Sequence, residues 1–278
     1  MSVYPNKNKN SKRKINNKLI LTKFVCYPLN MKIDNLIYNY FEKEAKKSIV
    51  DTINIGLGYT AVVLKDGRCG LCCTLTRSIT SCTIWKNPEN FENQSALKLL
   101  NLIHSNNCLD RSITIALVNA LNHNKTAVLP IDTSSMFKDL ALKENSTVAM
   151  IGYFMPIVKE LKKNNIKVIT FDIGKNIGNK EDFYEKANKK ADAIILTATS
   201  LINCTFEEVL ADLSFSKAPI ALIGPSTIME PSLYDGTKIS ILAGTHTLDN
   251  EKILKAVRNA KGTHTLHKFS KKVYLKID

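Results

Sequence analysis

Five short segments carry the residue types that could hold a ligand. Gly152-Tyr153-Phe154-Met155-Pro156, Asp172, Thr197-Ala198-Thr199-Ser200, Gly224-Pro225-Ser226-Thr227 and Gly244-Thr245-His246 each follow a short apolar run. In an open parallel sheet ligands bind beyond the carboxyl ends of the strands, so these segments are candidates to line one crevice. Glycines bring backbone N–H groups close to a ligand and hydroxyls supply both donors and acceptors, a combination suited to an anionic group. Gly152 and Asp172 also match part of a dinucleotide fingerprint, in which an acid about 20 residues after the glycines binds ribose. The turn between them is filled by Tyr153, Phe154, Met155 and Pro156, where that fingerprint needs glycines. A nicotinamide or flavin dinucleotide is therefore disfavoured, while an adenosine-containing or smaller anionic ligand stays open. The same residues equally suit a plain strand-to-helix turn with Pro156 in the first helical turn.

Asn203, Cys204 and Thr205 stand at an expected helix start, where partial positive charge favours an anion. Thr205-Phe206-Glu207-Glu208 has the spacing of a capping box, with the threonine oxygen accepting from the N–H three residues on and Glu208 reaching back. Asp249 is expected to cap the last helix. Cys69, Cys72, Cys73 and Cys82 resemble half of a zinc or iron-sulfur site, but no second Cys-x-x-Cys pair completes four ligands. On a strand Cys69 and Cys73 share one face and Cys72 the other, so small buried hydrophobes is the better reading. His264, His267 and His246 form a further soft-metal candidate. Paired carboxylates, a Gly-x-Ser-x-Gly elbow, His-Glu-x-x-His and a phosphate-loop lysine are all missing, which removes the common hydrolase and kinase readings.

The elements that must position these residues change character along the chain. A helix is expected over 33–47, from apolar residues at helical spacing. Two β-rich runs, 52–64 and 69–75, are joined by Asp66-Gly67, a dipeptide that tolerates the positive φ of tight turns, and predict a hairpin. Helices are expected over 95–104 and 110–122. Beyond a seam at 124–146 come the nearly continuous apolar runs 148–151, 167–171, 193–196, 220–223 and 239–242, of the kind buried on both faces of a parallel sheet. Helical stretches at 156–164, 181–189, 205–213 and 249–259 alternate with them. The expected fold is α/β, a small α+β part followed by a wound parallel sheet with right-handed crossovers.

Among 278 residues, 39 basic against 25 acidic side chains give a net charge of +14. Residues 1–30 hold seven of the basic residues and no acid, so this basic, asparagine-rich tail carries half the excess and is expected to be disordered. Met31 is expected to be the natural start. The remaining charge is spread without a basic stripe or aromatic interleaving, which argues against nucleic acid as a partner. No run reaches the ~18 apolar residues needed to cross a bilayer. Seven cysteines without a secretion signal predict a reducing, cytoplasmic setting.

Several of these motifs, read in order, resemble one family. Ile55-Gly56-Leu57-Gly58-Tyr59-Thr60-Ala61-Val62 with Gly67 and Gly70, Ala116-Leu117-Val118-Asn119-Ala120-Leu121, and Met150-Ile151-Gly152-Tyr153-Phe154-Met155-Pro156 are similar to the putative heavy-metal chelation proteins. The likeness continues through Thr197 to Asn203, Thr205, Gly224-Pro225-Ser226, Pro231, Gly236, Leu242-Ala243-Gly244 and Asp249, and covers about 33–268. It implies an enolase N-terminal-like α+β domain at 31–128 and a Rossmann-like domain at 129–278, with a ligand cleft between them. It further implies that Gly152, Tyr153, Pro156, Asn203, Thr205, Gly224, Pro225, Ser226 and Gly244 line this cleft, with Tyr59, Thr60 and Asn119 approaching from the other domain; Asp172, Thr197 and Thr199 join the candidate lining from their places after the strands. Two positions depart from the pattern: Cys204 stands where glycine is expected, and Asp172 where glutamate is expected. Cys204 could add a thiolate, so Cys204 and His246 are the candidate metal ligands.

The leading expectation is therefore binding or chelation of a heavy metal, or of a metal-bearing anionic small molecule, in an interdomain cleft. A transition metal ion is the candidate cofactor, and self-association into a homo-oligomer stays open. The competing expectation, from the enzyme class, is a transferase or oxidoreductase that uses an adenosine-containing cofactor at Gly152 and Asp172.

Overall fold

The computed structural model describes residues 32–76, 83–130 and 135–277. The basic tail, Met31 and Cys82 lie outside the described residues. Helix α1 (Ile33–Lys47) buries Ile33, Ile37, Phe41 and Ala45, four residues apart along one stripe. Strands β1 (Val50–Ile55), β2 (Tyr59–Leu64) and β3 (Cys69–Cys73) form an antiparallel sheet in that order. The sequence leads one to expect a single run over 52–64, but the chain turns back at Gly56-Leu57-Gly58 and makes two strands of it. The expected Asp-Gly turn joins β2 to β3, with Gly67 at φ 87°.

Helix α2 (Ala96–Leu100) runs into a 3-10 turn, and α3 (Cys108–Leu121) follows. Helix α3 lies so close to β3 that a Cβ on Gly70 would come within 2.1 Å of the Ala116 carbonyl oxygen, so only glycine allows this packing. Two short helices, α4 (His123–Ala127) and α5 (Ser135–Asp139), occupy the expected seam.

The second sheet alternates strands and helices: β4 (Thr147–Ile151), α6 (Met155–Lys163), β5 (Lys167–Phe171), α7 (Lys180–Lys190), β6 (Ala193–Thr197), α8 (Phe206–Asp212), β7 (Ile220–Ile223) and β8 (Ile239–Thr247). Helices α9 (Asn250–Arg258) and α10 (Thr263–Leu266) precede a last strand, β9 (Ser270–Lys276). The order is β5-β4-β6-β7-β8-β9, parallel throughout except for β9, which pairs antiparallel with β8. The apolar runs predicted all five parallel strands. They did not predict β9, or the extension of β8 to Thr247.

One apolar cluster includes Ile37, Phe41 and Leu117 beside the small sheet together with Leu196, Phe206 and Leu222 of the large one. Arg111, 1% exposed, ties the same parts together. Its guanidinium donates to both Asp34 carboxylate oxygens, at 2.9 and 2.7 Å, and to the Leu201 carbonyl. A second cluster on the opposite face of the large sheet is covered by α5 and α6, through Met136, Leu140, Val158 and Leu161.

The expected capping box at α8 does not form. Thr205 makes no cap hydrogen bond through its side chain, and its hydroxyl oxygen instead accepts from the Asn203 side-chain amide at 2.7 Å. Glu208 pairs with Lys180 Nζ instead, and Glu207 accepts from the Ile33 N–H at 2.9 Å. Asp249 does cap α9, accepting from the Lys252 N–H at 3.1 Å.

Candidate functional site

The uncovered part of the large sheet forms the floor of a cleft of about 1180 Å³. Successive side chains on a strand point to opposite faces, and the register aligns Ala243 with Tyr274 and Thr245 with Lys272. These four, with Ile223 of β7, make the floor. One wall is the turn and first residues of α6, where Tyr153, Phe154, Pro156 and Ile157 face inward. The facing wall is α5 and the chain after it, with Phe137, Lys138 and Lys143. Tyr59 and Cys73 of the small sheet, and Thr263 and His267 around α10, close one end.

The chemistry of this lining is mixed by design of the strands: aromatic and aliphatic surface inside, with Lys138, Lys143 and Lys272 set against Glu144 and Glu160. Burial raises the Tyr59 phenol, as does the neighbouring Cys73, and the phenol shares a hydrogen bond with the Thr263 hydroxyl. Burial also raises the Cys73 thiol. His267 is lowered by burial, then by Lys272 and His264. At neutral pH these three groups are therefore uncharged, and the lysines supply the cationic character.

The structure brings Tyr59, Tyr153, Pro156, Gly224, Pro225 and Gly244 to this cleft. It places the other expected residues elsewhere. Thr60 is buried and shares a hydrogen bond with Thr74. Asn119 donates to the Leu71 and Pro225 carbonyls at 3.0 and 3.1 Å, fixing the loop after β7 to β3. Ser226, 1% exposed, accepts from the Cys73 N–H at 3.1 Å and from the Cys72 thiol at 3.3 Å. Each of these bonds joins the small sheet or its helix to itself or to the large sheet behind the cleft.

Gly152, Asp172, Thr197 and Thr199 cluster at the point where the strand order reverses, between β4 and its two neighbours. This is where an open sheet offers a nucleotide its crevice. Here Thr197 packs against Gly152, where a Cβ would lie 2.8 Å from the threonine Cβ. The Asp172 carboxylate is already engaged, accepting from the Tyr153 N–H at 2.8 Å and the Lys175 N–H at 3.0 Å and pairing with Lys175 Nζ at 3.5 Å. The Thr197 and Thr199 hydroxyls bond to each other at 2.9 Å.

Asn203, Cys204 and Thr205 lie at the start of α8, outside the cleft lining, with Cys204 exposed at φ 60° and its thiol raised by partial burial. Cys69 and Cys72 are buried with raised thiols, Cys69 at about 12, as expected of small hydrophobes. His246 points away from the cleft, because it follows Thr245 on β8 and takes the opposite face. It meets His123 there, with ring centroids 4.2 Å apart. The expected cluster of His264, His267 and His246 does not form. Among the described residues no three His, Cys, Asp or Glu side chains could together hold a metal ion. A bare metal chelated by side chains alone therefore does not fit the cleft.

Sequence reasoning missed Phe137, Lys138, Lys143, Thr263, Lys272 and Tyr274 as lining residues. The alternation Lys272-Val273-Tyr274-Leu275 was the available signal for an edge strand with one face toward a cavity. Among the described residues no helix is long and apolar enough to cross a membrane.

Comparison with known proteins agrees with this architecture. A solved structure from Pyrococcus horikoshii, a protein of unknown function, superposes with a TM-score of 0.74 at 21% identity, over 88% of this chain and 100% of that one. One from Desulfitobacterium hafniense, also of unknown function, gives 0.68 at 16% identity, over 87% and 99%. An uncharacterized protein of Methanocaldococcus jannaschii is 24% identical over 200 residues, 67% of this chain and 73% of the relative. The sequence patterns of two segments described as putative heavy-metal chelation match residues 38–122 and 135–276. With the second pattern alone spanning more than half of its length, the chain belongs to the putative heavy-metal chelation family.

Proposed function

We propose that the protein binds a metal-bearing, anionic organic molecule in the cleft between the part at 31–128 and the part at 129–278. The observation that carries this reading is the lining itself, a mixed floor of Ala243, Ile223, Tyr274, Thr245 and Lys272 and an aromatic wall, with Lys138 and Lys143 facing it. Apolar pockets with a few placed polar groups are the usual form of small-molecule sites, and ~300–1,000 Å³ is their common size, so this cleft suits a large ligand. Since no three-residue ligand set exists among the described residues, the donors for the metal belong mainly to the organic part. Lys138, Lys143 and Lys272 then recognise its carboxylates or other anionic groups, and Tyr153, Phe154 and Tyr274 pack against its body. The metal is cargo in this reading, not a resident cofactor.

Calorimetric titration of the full chain with the nickel complex of pyridine-2,6-dicarboxylate, beside nickel alone, tests the reading. The complex is expected to bind at micromolar or better, and Lys143→Glu to weaken it about tenfold, or ~1.4 kcal/mol. Equal binding by the complex in the wild type and in Lys143→Glu, or no binding of the complex, would count against it. The adenosine-cofactor reading loses its two anchors, since Asp172 is engaged and Thr197 fills the space beside Gly152. A nucleotide at 100 times its dissociation constant would stabilise the protein by ~2.7 kcal/mol, so a thermal-shift screen without any response closes that reading.

A further inference from the structure

The charges around the cleft are sorted along its length. Strands β4, β6, β7 and β8 run parallel, so their carboxyl ends lie on one side of the sheet and their amino ends on the other. Helix α6 returns across the same face, from the carboxyl ends to the amino ends, and its 9 residues span ~13 Å. At the carboxyl ends stands Lys272, aligned with Thr245 of β8, together with His267 and Tyr59. These last two are uncharged at neutral pH, so the lysine makes this end positive. At the amino ends the turn from α6 into β5 gathers two carboxylates. Glu160 Oε1 accepts from the Asn164 side-chain amide at 3.3 Å, and Glu144 Oε1 from the Asn165 amide at 2.9 Å. The Asn145 N–H donates to the Asn165 carbonyl at 3.0 Å, which holds the chain before β4 against this turn. Both glutamates line the cleft, and among the described residues neither has a lysine partner. Lys143 is the one cation beside them, which leaves this end negative on balance.

We infer that the organic molecule taken up by the cleft carries an ammonium group besides its carboxylates, with the carboxylates toward Lys272 and the ammonium toward Glu144 and Glu160. This rests on the reading of the cleft as the site of a metal-bearing organic anion, and adds the second kind of charge that such a ligand presents. A molecule with carboxylates alone would set its charge against the two glutamates, a like-charge contact of the kind that turns wrong partners away. An ammonium there gains two carboxylates that asparagine amides already steer, so less side-chain freedom is lost on binding. Between the ends, Phe137, Phe154 and Tyr274 offer apolar surface for the body of the ligand. Glu144 and Glu160 are exposed at the mouth, so solvent screens them and their pull sets selectivity rather than most of the affinity.

Calorimetric titration of the full chain compares the nickel complexes of 4-aminomethyl- and 4-hydroxymethyl-pyridine-2,6-dicarboxylate. These place an ammonium, or a neutral hydroxyl of similar size, across the ring from the two carboxylates. The ammonium complex is expected to bind the wild type about fivefold more tightly at neutral pH, an advantage that shrinks as salt is raised. The double variant Glu144→Gln, Glu160→Gln is expected to bind both complexes equally, and the hydroxymethyl complex as the wild type does. Glutamine can still accept from Asn164 and Asn165, and both positions are exposed, so folding is not at stake. Equal or weaker binding of the ammonium complex by the wild type, or an advantage that survives in the double variant, overturns the inference and leaves the reading of the cleft in place. Binding of neither complex removes that reading itself, and the inference with it.

Discussion

Two adjacent residues of β8, Thr245 and His246, look onto unlike surroundings. Thr245 faces a wide cleft with aromatic and lysine side chains around it, and His246 faces a smaller pocket with a second histidine. The contrast follows from coverage. One face of the large sheet is covered by α6 and by α5, which reaches β9 through the Tyr274 hydroxyl donating to Asp139, and the cleft opens between the two helices. On the other face, β3 of the small sheet and α4 press close against β8, as shown by the Thr247 hydroxyl donating to the Cys69 carbonyl at 2.8 Å. What remains there is a pocket of about 410 Å³, while the other face holds the cleft of about 1180 Å³.

The widest prediction concerns what both pockets share. Replacing Arg111 by leucine leaves Asp34 without its buried partner and should cost about 3–5 kcal/mol in urea unfolding, with both pockets impaired together. Intact stability would mean that the two sites do not rest on this clamp. The next separates the two faces by pH. Burial, with His123 and Lys271 adding to it, holds His246 down to about 4. Because its folded value lies below the ordinary 6.5, the unfolded chain takes up the proton first. The stability it contributes is complete above about pH 6.5 and is lost as pH falls through about 4. At most about 3 kcal/mol is at stake, and His246→Phe should flatten that part of a pH series of denaturant melts.

Ala243→Phe fills the cleft floor without touching the opposite face. It should weaken the nickel complex about a hundredfold, ~2.7 kcal/mol, in calorimetric titration. Unchanged binding would mean that the complex does not rest on this floor. The smallest expected effect is that of Lys272→Glu, about tenfold on the complex, measured by the same titration.

How far the sequence showed these features depends on the kind of residue that makes them. The parallel strands were legible because apolar runs buried on both faces have no other reading. Gly224, Pro225 and Gly244 were found as strand-end residues, by the rule that ligands sit beyond carboxyl ends. That rule pointed equally to Gly152 and Thr197, which pack against each other, and the available space opens instead along the sheet face. This face is defined by β9 and by α5, an antiparallel edge strand and a helix of five residues, neither of which produces a periodic pattern long enough to stand out. The histidine pair was half visible: His246 was singled out, but its partner His123 lies 123 positions earlier, and only the folded register of β8 against α4 brings the two rings together. Thr205 misled for a local reason, since an asparagine two residues away competes for its hydroxyl.

The apolar cluster that runs from α1 and α3 into β6, α8 and β7 has a consequence for motion. Parting the two sheets would expose Ile37, Leu117, Leu196 and Phe206 at once, so the molecule has no hinge along which the cleft could open and shut. Calorimetric melting should therefore run as a single cooperative transition rather than two.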